Sequence, residues 1–154
     1  VTFYKSSDQL PDYEDYSMHG RTYRYFNDPL FAFGYGMSYT QFEIGKAKVE
    51  RKGDEYQVSI PVSNTGKRKG TETVQVYLRD LSDKEGPLKS LRGFQRIEVE
   101  AGATKQALVT LTRKSFEFFD TATNTMRVKP GRYELLYGNS SLDGSLKKEI
   151  ILLD

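Results

Sequence analysis

From Tyr56 onward, apolar residues return at every second position in short runs, and this period constrains the chain more than any other feature of its 154 residues. Tyr56, Val58, Ile60 and Val62 alternate with Gln57, Ser59, Pro61 and Ser63. The pattern recurs in Val74, Val76 and Leu78, in Ala107, Val109 and Leu111, and in Tyr133, Leu135 and Tyr137. Successive side chains on a strand point to opposite faces, so each run reads as a strand with one face buried. Turn residues separate the runs about every ten positions, which gives about seven strands in roughly 110 residues. The expectation is an all-β sandwich over residues 41–154, preceded by an extended tail and connector over residues 1–40.

Irregularities in the pattern carry their own expectations. Phe42 and Ile44 share one parity and Ala47 and Val49 the other, so the register shifts by one, with Gly45 as the natural site of a β-bulge. Pro61 lacks an N–H and belongs at an edge or a bulge. Asn64 to Gly70 is a basic loop, either a solvated hairpin end or a contact for an acidic partner. Asp80, Asp83 and Glu85 loosely resemble a calcium loop but lack its ligand spacing and central glycine, so no metal site is expected. Arg113 to Asp120, with Phe116, Phe118 and Phe119, is too short for an independent helix and is expected to cap an open end of the core. Pro130-Gly131 before a Tyr-rich strand fits the corner of an immunoglobulin-like sandwich, with Tyr133 as the residue whose hydroxyl returns to the backbone. Asn139-Ser140-Ser141 matches a glycosylation sequon, although a turn asparagine after Gly138 is the simpler account.

The stretch from Gly20 to Thr40 obeys neither period. Tyr23, Tyr25, Phe26, Phe31, Phe33, Tyr35, Tyr39 and, just beyond, Phe42 crowd around Arg21, Arg24, Gly34 and Gly36. Such a run must lie against something. It is either a strap over the apolar end of the sandwich or an aromatic and arginine surface that meets a ligand or a neighbouring domain. Upstream, Leu10-Pro11-Asp12-Tyr13-Glu14-Asp15-Tyr16 reads as an extended linker. On an extended chain only Asp12 and Glu14 of its three acids share a face, and a solvated linker is the simpler account of them. The candidate contact residues for substrate or a neighbouring domain are therefore Asp12, Glu14, Arg21, Tyr23, Arg24, Tyr25 and Tyr35. Residues 1–20 are expected to be loosely held.

Composition narrows the partners. With no Cys, disulfides, thiol catalysis and thiolate metal sites are excluded. Residues 1–40 hold three cations against five acids, a net charge of −2, which leaves +4 for residues 41–154. Neither part is basic enough for nucleic acid, and no apolar run approaches a membrane span. The single His19 has no partner set around it, and no nucleophile–base–orienter group, metal cluster or phosphate-cradling loop is present, so neither catalytic residue nor cofactor is expected. The chain opens on Val1 rather than Met, as a trimmed or processed fragment would.

Arg21-Thr-Tyr-Arg-Tyr-Phe26 followed by Phe33-Gly-Tyr-Gly-Met-Ser-Tyr-Thr40 closely resembles the connector of glycoside hydrolase family 3 enzymes, the β-glucosidases and β-xylosidases. Asn64-Thr-Gly66, Glu72-Thr-Val-Gln-Val-Tyr77, Leu91-Arg-Gly-Phe94, Phe118-Phe-Asp120 and Pro130-Gly-Arg-Tyr133 are similar to signposts of that family's C-terminal fibronectin type III-like domain. Ala101 and Phe119 depart from it, standing where proline and Trp or Tyr are common. The resemblance implies that Val1-Thr-Phe-Tyr4 ends a strand of an α/β sandwich domain. It further implies an N-terminal barrel and that sandwich domain as partners, a periplasmic or secreted bacterial location, and a parent that cleaves terminal β-linked glucose or xylose. The catalytic Asp and acid/base carboxylate of the family lie in motifs that this sequence does not contain. What the resemblance implies here is a non-catalytic accessory domain. A carbohydrate-binding module taking oligosaccharide, or a protein-interaction sandwich, are the alternatives.

Overall fold

The first strand of the sandwich is broken, and the break is the expected one. In the computed structural model, which describes residues 2–154, β1 (Phe42–Ile44) and β2 (Lys48–Lys52) both pair antiparallel with β3 (Glu55–Asn64). Ile44 lies opposite Val62 and Lys48 opposite Ser59, so four steps of one strand face three of the other. The Gly45 amide donates to the Pro61 carbonyl at 2.8 Å. A Cβ at Gly45 would stand 2.6 Å from Pro61 Cγ, so only glycine passes the ring there. A strand residue points its N–H and C=O to the same side, and the missing N–H of Pro61 therefore falls at the break. Pro61 thus lies in a central strand rather than an edge, because β3 also pairs with β6 (Thr104–Leu111) on its other side.

The second sheet runs β10 (Lys147–Leu153), β9 (Gly131–Gly138), β4 (Gly70–Asp80), β5 (Ser90–Val99). Counting the broken strand once, three strands face four, which is the expected all-β immunoglobulin-like sandwich of seven. A separate hairpin of β7 (Glu117–Asp120) and β8 (Thr125–Val128) is added. Val58, Ile60, Val62, Val74, Val76, Leu78, Leu111 and Leu135 fill the space between the sheets, all fully buried. Among the described residues no helix is long and apolar enough to cross a membrane.

Tyrosines tie the layers together. Tyr133 donates its hydroxyl proton to the Lys129 carbonyl at 2.7 Å, the expected corner. The Tyr137 hydroxyl crosses the core to accept from the Ala47 amide at 2.9 Å, so it satisfies a donor that the broken strand leaves without a ladder partner. Phe116 packs between Tyr56 and Tyr133, with ring centroids at 5.4 and 5.1 Å. Phe118 stacks on Tyr133, so the cap forms as a 3-10 turn and hairpin. Phe119 points outward, 52% exposed.

Asn64 fixes the basic loop. Its Oδ1 accepts from Thr40 Oγ1 at 2.7 Å and from the Gly66 amide at 3.0 Å. Its Nδ2 donates to the carbonyls of Arg68 at 2.7 Å and Val99 at 3.0 Å. A buried amide with four partners leaves four groups unsatisfied when it is truncated. Asn64→Ala is expected to cost about 3 kcal/mol in urea unfolding, whereas Ser59→Ala, on the outer face, shifts stability by less than about 0.5 kcal/mol.

Candidate functional site

Sheet β10–β9–β4–β5 is apolar on both faces. Tyr77, Leu136 and Leu146 lie on the side away from the main core and are buried all the same, with Tyr23 and Leu91 packed against them. What covers them is the connector. One helical turn, α1 (Thr22–Tyr25), seats the Tyr23 ring parallel to Phe33 at 4.7 Å and edge-on to Tyr77 at 5.7 Å. The Tyr23 hydroxyl accepts from the Leu91 amide at 3.1 Å. The Arg24 carbonyl accepts from the Leu88 amide at 2.7 Å, and the Phe33 carbonyl from the Ser141 amide at 2.8 Å. Aromatic contact supplies the burial, and the three hydrogen bonds donated by backbone amides of the sandwich fix its position.

Gly34 is where the connector comes closest to the sheet. Its φ is +83°, and a Cβ there would lie 2.2 Å from Gln75 Nε2. Gln75 is itself buried, donating to the Asn139 carbonyl at 2.9 Å and accepting from the Tyr77 hydroxyl. Burial pushes the Tyr77 phenol well above its ordinary range. Asn139 therefore takes part in a structural turn, its carbonyl engaged by Gln75 of β4.

The residues before the connector form a second layer. The Phe3 amide donates to the Phe31 carbonyl at 3.1 Å, and the Leu30 amide to the Phe3 carbonyl at 2.8 Å. Tyr4 donates to the Gly20 carbonyl at 2.8 Å. Thus Phe3, in the segment expected to end another domain's strand, bridges the connector; Val1 lies outside the described residues. The expected extended linker is instead folded at Asp12–Asp15, where the Asp15 amide donates to the Asp12 carbonyl at 3.1 Å. Asp12 Oδ1 accepts from the Glu14 amide at 2.9 Å, so Asp12 and Glu14 form a turn and do not present a shared carboxylate face. Asp15 accepts from the Ser17 amide, which holds its carboxyl below the usual range. Arg21 is spent internally, donating to the carbonyls of Asp15 at 2.6 Å and Ser17 at 3.1 Å.

The structure therefore divides the seven candidates. Tyr23 belongs to the docked face, and its ring is not available as an exposed platform. Arg21 and Asp12 hold the tail turn. Tyr25 is half-buried with the Arg24 guanidinium 5.8 Å above its ring. Glu14 is exposed, and Tyr35 is 56% exposed beside Phe31. The exposed surface is wider than that set: Tyr13, Tyr16, Met37 and Tyr39 are each more than 90% exposed. A cleft of about 610 Å³ runs between Tyr4, Leu10, Tyr13, Tyr16 and Met18. Among the described residues no group of three or more His, Cys, Asp or Glu is placed to hold a metal.

Residues 72–141 match the fibronectin type III-like domain family. The chain is 63% identical to a xylan 1,4-β-xylosidase of Xylanibacter ruminicola, over 99% of the chain and 18% of that protein. It is 36% identical to the thermostable β-glucosidase B of Acetivibrio thermocellus, over 83% of the chain and 18% of that protein. A solved β-glucosidase from Erythrobacter marinus superposes with a TM-score of 0.80 at 36% identity, over all of this chain and 21% of that one. The chain thus spans about a fifth of the length of the relatives it matches.

Truncating the ring that seats the connector isolates its contribution. Tyr23→Ala is expected to destabilise the chain by about 2 kcal/mol in urea unfolding and to leave the fold of the two sheets intact by circular dichroism. Unchanged stability would mean that the connector rests on the sheet without holding to it.

Proposed function

Because the chain belongs to glycoside hydrolase family 3 through its fibronectin type III-like domain, we propose that it is the non-catalytic accessory domain of a β-xylosidase or β-glucosidase. The barrel and α/β sandwich domains expected beside it would hold the catalytic carboxylates. One observation carries the reading of how it serves them. Among the described residues, ten of the eighteen exposed large hydrophobic residues fall within the first forty positions, so the exposed apolar side chains are concentrated on the tail and connector. Exposed apolar residues concentrated in one part of a chain mark a contact surface. On this reading the chain divides near residue 40. Tyr23, Phe33 and Gly34 seat the connector on the sandwich, and Tyr13, Tyr16, Tyr35 and Tyr39 face the neighbouring domain or the rim of its substrate entrance.

The exposure of those four tyrosines also favours a second reading, in which they stack on the faces of an oligosaccharide. One pair of variants separates the two. Tyr13→Ser with Tyr16→Ser is expected to leave the isolated chain within about 0.5 kcal/mol of its starting stability. In a protein carrying the barrel and sandwich domains, the same changes should lower the melting temperature. No lowering there, together with saturable binding of xylo- or gluco-oligosaccharides by the unsubstituted chain alone, would replace domain contact by sugar binding.

A further inference from the structure

A second bulge lies in the other sheet, on its edge strand β5. Val76 pairs with Gly93 and Tyr77 with Leu91, so Arg92 is an extra residue in β5. Bulges bend a strand and re-aim the side chain they carry. Arg92 is laid over the Phe118 ring at 4.4 Å, and its Nη2 donates to the Glu117 carbonyl at 2.6 Å. Its Nε is buried with no acceptor. Arg24 lines the same cavity of about 270 Å³, together with Tyr23, Glu117, Phe119 and Met126.

The charges there are unbalanced. Among the described residues neither Arg24 nor Arg92 forms an ion pair, although nine other pairs are present. Burial, and then the charge of Arg24, pull the Arg92 guanidinium below its ordinary range. The Glu117 carboxylate is close enough to act on Arg92 through space without pairing to it. The Tyr23 hydroxyl accepts from the Leu91 amide, and no acceptor for its own proton is present among the described residues. Beside these donors Phe119 and Met126 are 52% and 55% exposed, an apolar wall next to a cationic floor.

We propose that this cavity binds an organic carboxylate. The guanidinium groups of Arg24 and Arg92 take the carboxylate oxygens, and Phe119 and Met126 hold the body that carries it. Two arginines lining one cavity favour a planar, bidentate anion, and the apolar wall favours one attached to carbon. Glu117 opposes the ligand and sets how tightly it is held. The site rests on this geometry alone and is independent of the accessory-domain reading.

The test uses the whole 154-residue chain, with glucuronate as the probe, glucose as its neutral counterpart and sulfate as an inorganic anion, at constant ionic strength. The Met126 methyl resonance reports occupancy. Glucuronate is expected to shift it saturably and glucose to leave it unmoved. Arg24→Gln and Arg92→Gln should each weaken glucuronate roughly tenfold, the loss expected for one charge-assisted contact. Glu117→Gln should tighten it. Should Arg92→Gln fail to fold, Arg24→Gln and Glu117→Gln decide the matter, since neither side chain anchors the fold. An unmoved Met126, an equal response to glucose, sulfate binding as tight as glucuronate, or affinities unchanged in those two variants would overturn the proposal.

Discussion

A sheet that is apolar on both faces must be covered on both, and the organisation of this chain follows from that requirement. Between β4 and β9, Val76, Leu78 and Leu135 face the opposing sheet, while Tyr77 and Leu136 face away from it. Leaving the outer set in water would forfeit about 1.5–3 kcal/mol for each large side chain. The connector supplies the missing layer, with Tyr23 wedged between Phe33 and Tyr77. Residues that look like a linker are thereby part of the fold. Once the connector is seated, the tail must lie where Phe3 meets Phe31, with its remaining rings turned outward.

The alternation of β3, β6 and β9 was enough to place the inner core, because only one parity of those strands faces the opposing sheet. The Gly45 break was legible for the same reason: a change of parity within one run admits no other account. Tyr133 was legible from the Pro130-Gly131 turn before it. The outer layer was harder to read. Alternation assigns Gln75, Tyr77 and Leu136 to solvent, and only the uncharged run Val74–Leu78 and the unbroken Leu135-Leu136-Tyr137 signalled two buried faces. The tail was misread at Asp12–Asp15, where Asp12 accepting from the Glu14 amide outweighs the extended preference around Pro11.

The candidate contact residues sort by the same physics. Asp12 and Glu14, which the spacing put on one face, and Arg21 are engaged in local hydrogen bonds instead, because a short polar tail satisfies its own backbone first. The rings outside the candidate set, Tyr13, Tyr16 and Tyr39, are almost fully exposed. Arg24 and Arg92 are some seventy positions apart in sequence. They share a cavity only because the connector docks beside the β5 bulge, a juxtaposition without a sequence signature.

The docking of the connector is tested most directly by native-state hydrogen exchange at three amides, Leu88, Leu91 and Ser141, which donate to the Arg24 carbonyl, the Tyr23 hydroxyl and the Phe33 carbonyl. If the connector is a layer of the sandwich, these amides open only with the sheet and exchange as slowly as those of the β4–β9 ladder. Exchange at the rate of an unprotected loop, while the ladder stays protected, would contradict it. The outer face of the sheet would then be covered by something other than the connector.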